Sequence, residues 1–288
     1  MKANSLSSHT REEPQSGVLY LVGTPIGNLN DISFRAIKIL TDVSLIACED
    51  TRQTKKITTR YEISNKLISF NKHNSTKRIP QIINYLKEGK SVALVTDAGL
   101  PSICDPGEDL VKIAKSNKFE TICIPGPSAP LTALISSGFP ASKFIFEGFL
   151  PKKKSEREKI LFEISKNEKT TIVFEAPHRL NKLLNDLREY CGAHREVVVC
   201  RELTKKFEEQ ICDNLDNLKD FLKDREILGE ITIVIKGIDK NNIVEINESD
   251  IKKELKELIN AGLSLSAASK YLAKKKNLTK KKIYNLYL

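Results

Sequence analysis

Short apolar runs rich in Val and Ile recur along this 288-residue chain with helical patterns between them, and no other feature restricts its fold as tightly. "VLYLVG" (18–23), "VSLIAC" (43–48), "KLISF" (66–70), "SVALVT" (91–96) and "ETICI" (120–124) read as strands. After a Gly- and Pro-bearing passage come "KFIFEGF" (143–149), "TTIVFE" (170–175), "EVVVCREL" (196–203) and "EITIVIKG" (230–237). Between the runs, "PHRLNKLLNDLREY" sets Leu180, Leu183, Leu184 and Leu187 on one helical face. Asp31 is expected to cap "ISFRAIKIL" and Ser128 to cap "APLTALISS", whose first turn tolerates Pro130. Alternating strands and helices imply an α/β fold with sheets covered on both faces, which suits continuous apolar strands.

Two such sets, split near residues 125–142, predict two α/β domains over 17–126 and 127–240. A polar leader, residues 1–16, without the apolar stretch of a secretory signal, is expected to be disordered. A small helical module is expected over 245–288, its three short helices resembling a helix-turn-helix unit. No apolar run approaches the ~18 residues of a membrane span, so no membrane is expected. Six cysteines without a C-x-x-C pair, several inside apolar segments, read as buried thiols of a reducing, cytoplasmic compartment. The four scattered histidines supply no metal constellation, so no metal is expected.

The net charge is +10, and from Lys270 to Leu288 seven lysines stand without one acid. Such an excess favours a polyanionic partner, most often nucleic acid. A solubilising tail is the plainer reading of those lysines, but interleaved Tyr271, Leu272, Leu278, Ile283, Tyr284 and Leu286 argue for folding.

In open α/β sheets ligands settle at the carboxyl edge of the strands. Loops dense in Gly, Pro and Asp fall there repeatedly: "VGTPIGN", "CEDTR", "TDAGLPSICDPG" and "IPGPSAP" follow the first, second, fourth and fifth runs. Glycine lets a ligand approach the main chain and proline stiffens the turn, so such loops can form a pre-shaped pocket. None matches a dinucleotide or triphosphate cradle. The residues alone therefore reach a small-molecule site in a basic α/β protein and go no further.

The motifs "LVGTPIGNL", "ACEDTR", "VTDAGLPSICDPG", "PGPSA", "EGFLPKK", "EAPHRL" and "CRELTKKFE" occur in the order found in a known family. From about Gly17 to the last residue the chain resembles the 16S rRNA small-subunit methyltransferases, within the tetrapyrrole-methylase-like, class III S-adenosylmethionine methyltransferases. The resemblance implies two α/β domains of the tetrapyrrole-methylase type, S-adenosyl-L-methionine in the cleft between them, and a homodimer. It implies methyl transfer to the ribose 2′-hydroxyl of a cytidine in the decoding centre of 16S rRNA, with the 30S subunit as partner. It matches Asp97, Ala98, Gly99, Leu100 and Ile103 to one cofactor wall and Ser128 and Ala129 to a second, with Pro25 approaching from another side.

A ribose hydroxyl is a weak nucleophile, so a base or a cation beside the developing alkoxide helps. Glu49 and Glu202 are the candidate bases or positioning groups, with Lys205 beside them; Arg52, Arg201 and Lys205 are candidates for holding phosphates. For each acid a helix cap or surface ion pair is the competing reading. Asp105 is read as the cap of a helix beginning near Pro106, and His178 as a helix-start residue, an RNA or cofactor contact being its alternative. Lys152, Lys153 and Lys154 are candidate RNA contacts on a loop. Lys274, Lys275, Lys276, Lys280, Lys281 and Lys282 are expected to touch phosphates without reading sequence. Two rival functions stay open: a methylase of a tetrapyrrole intermediate, and an RNA-binding relic of the fold.

Overall fold

The computed structural model of the protein describes residues 12–239, 248–275 and 280–287. Two five-stranded sheets carry most of the chain. The first comprises β1 (Leu19–Val22), β2 (Leu45–Cys48), β3 (Leu67–Ser69), β4 (Val92–Val95) and β5 (Thr121–Ile124) in the order β3-β2-β4-β1-β5. Every pairing in it is parallel, so all five strands end at one edge. Helices α1 (Phe34–Asp42), α2 (Thr51–Arg60), α3 (Ser75–Lys87) and α4 (Glu108–Ser116) connect them. Successive residues of a strand point to opposite faces, and here both faces meet helices. Tyr20, Ile46 and Ala93 share a cluster with Ile39 and Leu40 of α1 and Ile57 of α2, while Leu19, Leu45 and Leu94 pack with Ile82 and Leu86 of α3 and Leu110 of α4.

Capping departs from expectation at the start of α1. Asp31 closes a one-turn 3-10 helix, and Ser33 takes the cap, its hydroxyl accepting from the Ala36 N–H at 3.1 Å. The end of the expected leader is also anchored. Glu13 pairs with Arg35 at 2.6 Å and the Tyr20 hydroxyl accepts from the Gln15 N–H, so residues 12–16 dock on the first sheet; residues 1–11 lie outside the described residues.

The second sheet is mixed. Its strands β6 (Phe144–Phe149), β7 (Thr170–Glu175), β8 (Glu196–Arg201), β9 (Glu209–Asn214) and β10 (Ile231–Ile235) run in the order β6-β7-β10-β8-β9. β6 and β7 are parallel, and the remaining pairs are antiparallel. β9 is not foreshadowed by any apolar run, because "EQICDN" is an edge strand left largely to solvent. Helices α6 (Lys154–Lys166), α7 (Leu180–Cys191) and α8 (Leu215–Leu222) cover one face, with Leu183, Leu184, Leu187 and Leu218 wholly buried. The other face receives α5 (Ala129–Ser137), whose Ala133 and Leu134 pack with Ile172, Val198 and Val234. Ile26, from the loop after β1, enters the same cluster. An apolar side chain from the first sheet's edge is thus part of the second sheet's core.

Beyond lie α9 (Glu248–Asn260), α10 (Leu265–Lys275) and α11 (Lys280–Tyr287), which bury Ile251, Leu255, Ala268, Leu272 and Ile283 among themselves. None of the described helices is long and apolar enough to cross a membrane.

Candidate active site

The loops at the first sheet's carboxyl edge are stitched together by backbone. Thr24 N–H donates to the Gly99 carbonyl at 2.9 Å and Gly99 N–H returns the bond at 3.1 Å, joining the loop after β1 to the loop after β4. The Thr24 hydroxyl adds a bond to the Thr96 carbonyl at 3.1 Å. The loops after β1 and β5 touch where Gly23 faces Gly126: a Cβ on either would lie 2.8 Å from the other's Cα, so only glycine permits this crossing.

Above these loops, against the corresponding end of the second sheet, lies a cavity of about 330 Å³, within the range of small-molecule sites. Six of the residues expected to form cofactor walls line it: Ala98, Gly99, Leu100, Ile103, Ser128 and Ala129. Two do not. Pro25 is buried and outside the lining, where its neighbour Ile26 takes the wall. Asp97 stays beside the cavity, its carboxylate accepting the Asp50 N–H at 3.0 Å. The opposite wall comes from the ends of β6, β7 and β10, with Phe149, Phe174, Ala176, Pro177, Ile231 and Thr232. Sequence reasoning missed this half, although "EGF" and "EAP" each mark a strand end there.

Glu175, last residue of β7, forms part of the floor and is wholly buried. Arg179 lies 3.2 Å from one of its oxygens and Arg157 of α6 3.4 Å from the other, while Arg157 also bonds Asp186 at 2.8 Å. The Glu175 carboxylate accepts the Ala176 N–H too, at 3.0 Å. A buried carboxylate needs such partners, and these hold the corner that carries Ala176 and Pro177.

Acids gather at the other side. Burial, reinforced by the nearby Asp97 carboxylate, pushes Glu49 above its ordinary range, while the Asp97 N–H donates to it. Burial likewise raises Asp97. Asp105 lines the cavity and is pushed up to about 6, by burial first and the Glu49 charge second, with Lys72 opposing. It is not the expected helix cap: α4 begins at Glu108 and its cap position is Gly107. The loop before it is held in an unusual shape, with Ser102 and Cys104 both left-handed at φ 70° and 65°.

Glu202 stands differently. It is not among the lining residues; its carboxylate accepts from Lys205 Nζ at 2.9 Å and from the Glu230 N–H at 2.9 Å. Partial burial opposes its charge, but Lys205, the Glu230 N–H and Arg201 together outweigh that and hold its pKa below the usual carboxylate value. Lys205 also reaches Glu230 at 3.1 Å. A carboxylate so engaged clasps the turn after β8 to the start of β10, with Lys205 bound to both acids. The same turn meets the first sheet's edge, where Thr204 Oγ1 accepts the Asn28 N–H at 3.1 Å.

The expected RNA contacts divide similarly. Arg201 is tied to Glu209 at 3.2 Å and to the Leu228 carbonyl, half-buried beside its own sheet. Arg52 is exposed, pairs with Asp50 at 2.6 Å and holds that carboxyl down to about 2. Lys152 is exposed in the loop after β6, and Lys153 pairs with Glu156 at 2.8 Å. His178 is exposed in the one-turn helix after β7. Lys274 and Lys275 end α10, and Lys281 and Lys282 lie in α11; Lys276 and Thr279 fall outside the described residues. Cys48 and Cys200 are buried as expected, but Cys104, Cys123 and Cys212 are exposed. No cluster of metal-ligating side chains occurs among the described residues.

Residues 18–219 match the Tetrapyrrole (Corrin/Porphyrin) Methylases. Over 278 residues the chain is 42% identical to the "Ribosomal RNA small subunit methyltransferase I" of Bacillus subtilis (strain 168), covering 94% of each. The protein of that name from Thermotoga maritima is 47% identical over 221 residues, 77% of this chain and 99% of its own. Among solved structures, a cobalt precorrin-4 methyltransferase of cobalamin biosynthesis superposes with a TM-score of 0.60 at 16% identity, over 76% of this chain and 95% of its own. A uroporphyrin-III-C-methyltransferase from Thermus thermophilus gives 0.54 at 16% identity, over 76% and 94%.

Proposed function

The chain belongs to the tetrapyrrole methylase family and, within it, to the ribosomal RNA small subunit methyltransferases I, and from that membership we propose that it methylates the ribose 2′-hydroxyl of a cytidine in the 16S rRNA decoding centre, with S-adenosyl-L-methionine as donor. The observation that supports the reading is the cavity at the meeting of the two sheet ends, walled by six of the residues that the resemblance matches to cofactor walls. Its size and its lining of peptide groups and small apolar side chains suit a nucleoside-sized ligand. The Gly23–Gly126 crossing and the Thr24–Gly99 bridge fix that lining before any ligand arrives. The precorrin and uroporphyrin enzymes, at 16% identity, share the fold alone.

Ala98, Gly99, Leu100, Ile103, Ser128 and Ala129 would hold the donor, which supplies an electrophilic methyl group on a positively charged sulfur. The chain's own part is alignment. Displacement at a methyl carbon needs the attacking oxygen in line with the leaving sulfur, and rigid walls supply much of the rate by fixing that line. Glu49 and Asp97, anchored through each other's backbone segment, shape the charge at the cavity's edge. Arg52, Lys152 and Lys153 would take phosphates at the rim, and the lysines of α10 and α11 more distant ones. The working form is a cytoplasmic homodimer acting on the 30S particle.

The test is mass-spectrometric mapping of ribose methylation on 30S subunits from a strain lacking this protein, with and without the purified enzyme and S-adenosylmethionine. A new 2′-O-methylcytidine in the decoding centre is expected. Methyl groups on a base, or none on the particle, would overturn the reading.

A further inference from the structure

We propose that Asp105 is the catalytic residue that takes the proton from the hydroxyl being methylated. This rests on the preceding reading of a ribose hydroxyl as acceptor, and the location of Asp105 is its ground.

Three carboxylates line the cavity: Asp105, Glu175 and Glu230. Glu175 is wholly buried between two arginines and an N–H, and Glu230 is paired with Lys205. Among the described residues, the Asp105 carboxylate alone of the three makes no hydrogen bond or ion pair. The nearby acids outside the lining are likewise committed, Asp97 to the Asp50 N–H and Glu49 to that of Asp97.

The loop that presents Asp105 is held from both sides. Lys72, from the segment before α3, donates to the Cys104 carbonyl at 3.2 Å, and the Cys104 sulfur accepts from the Phe149 N–H of β6. The left-handed backbone at Ser102 and Cys104 persists because these contacts over-determine it, as at functional sites generally. Phe149, 58% exposed although it lines the cavity, stands over Phe174 at 5.4 Å between ring centres. That aromatic wall, beside the same carboxylate in the cavity lining, offers a base a stacking surface.

The step balances without further reagents. The 2′-oxygen bonds to the methyl carbon as the carbon–sulfur bond breaks, its electron pair remaining on a now neutral sulfur. The hydroxyl proton passes to the Asp105 carboxylate and then to water. Burial first, then the Glu49 and Asp97 charges, raise the proton affinity of that carboxylate and Lys72 lowers it, leaving it near 6 and matched to work around neutrality.

Asp105→Asn and Asp105→Glu are compared with wild type in single-turnover methylation of 30S subunits from pH 5 to 9, with donor affinity measured by calorimetry and Tm by scanning calorimetry. Asp105→Asn is expected to slow the chemical step by about a hundredfold while donor affinity stays within about twofold. Its Tm should not fall, because no partner is lost. Wild type should lose rate below about pH 6, and that slope should vanish in Asp105→Asn and persist in Asp105→Glu. A rate within about threefold of wild type for Asp105→Asn, donor affinity lost in step with the rate, or a variant that does not fold would each overturn the proposal. Wild type inactive on the ribose overturns the functional reading and this proposal together; active wild type with an indifferent Asp105→Asn overturns this proposal alone.

Discussion

Two turns flank the cavity, and they are alike in backbone and opposite in chemistry. The loop after β4 has Ser102 and Cys104 in left-handed conformation and presents Asp105; the turn after β8 has Glu202 and Thr204 in the same conformation. Both carry an acid at the joint between the sheets. Glu202 accepts two hydrogen bonds and holds Lys205, whereas Asp105 holds nothing. Unusual backbone therefore marks both structural and reactive sites, and the state of the carboxylate tells them apart. An acid whose hydrogen bonds are already made is stabilised as an anion and is a poor base; one half-buried without partners gains by taking a proton.

The largest effect that tests this contrast is the hundredfold loss set out above for Asp105→Asn. Next comes Gly126→Ala, whose methyl would press on the Gly23 backbone. Stability should fall by about 1–3 kcal/mol and donor affinity by about tenfold or more as the wall shifts, read by urea unfolding and calorimetry. Unchanged donor binding would remove the crossing from the account of the site. Third, Glu202→Gln should cost about 1–2 kcal/mol of stability yet leave the plateau rate within a few-fold. If instead it abolished the rate at unaltered stability, the two turns would have exchanged roles.

Stability against pH separates them further. Glu202 has a folded pKa below its unfolded value, so its contribution is present above the unfolded pKa and is lost as pH falls through the folded one. Asp105 has a raised folded pKa, so its ionisation opposes folding, increasingly between about 4 and 6 and fully above. Above pH 6 the Glu202→Gln protein should unfold at lower urea than wild type, and Asp105→Asn at equal or slightly higher urea. The smallest effect belongs to the rim. Lys152→Ala with Lys153→Ala should weaken RNA binding several-fold and reduce the slope of log affinity against log salt by about 1–2, with donor affinity untouched. Filter binding over a salt series gives that slope.

Much of this was legible in the sequence, for physical reasons. A strand buried on both faces must be apolar throughout, so β2 and β4 declared themselves, and Gly–Pro loops at strand ends marked one half of the cavity. β9 did not, since an edge strand facing water needs no apolar run. Asp105 was hidden by a local rule: an acid before "PG" and a helical pattern reads as a cap, and only the fold shows Gly107 there instead. The engagement of Glu202 was hidden for the converse reason. Its partner Glu230 lies 28 residues on, and no local pattern reveals that the chain returns to bond it.

Ile26 leaves the first sheet's edge to complete an apolar cluster with Ala133, Leu134, Ile172, Val198 and Val234. Splitting the polypeptide between residues 126 and 127 would therefore strand oily surface on both pieces, an isoleucine bare on one and a gap in the interior of the other. The halves would clump or stay soft when made apart, and mixing them should rebuild a firm particle.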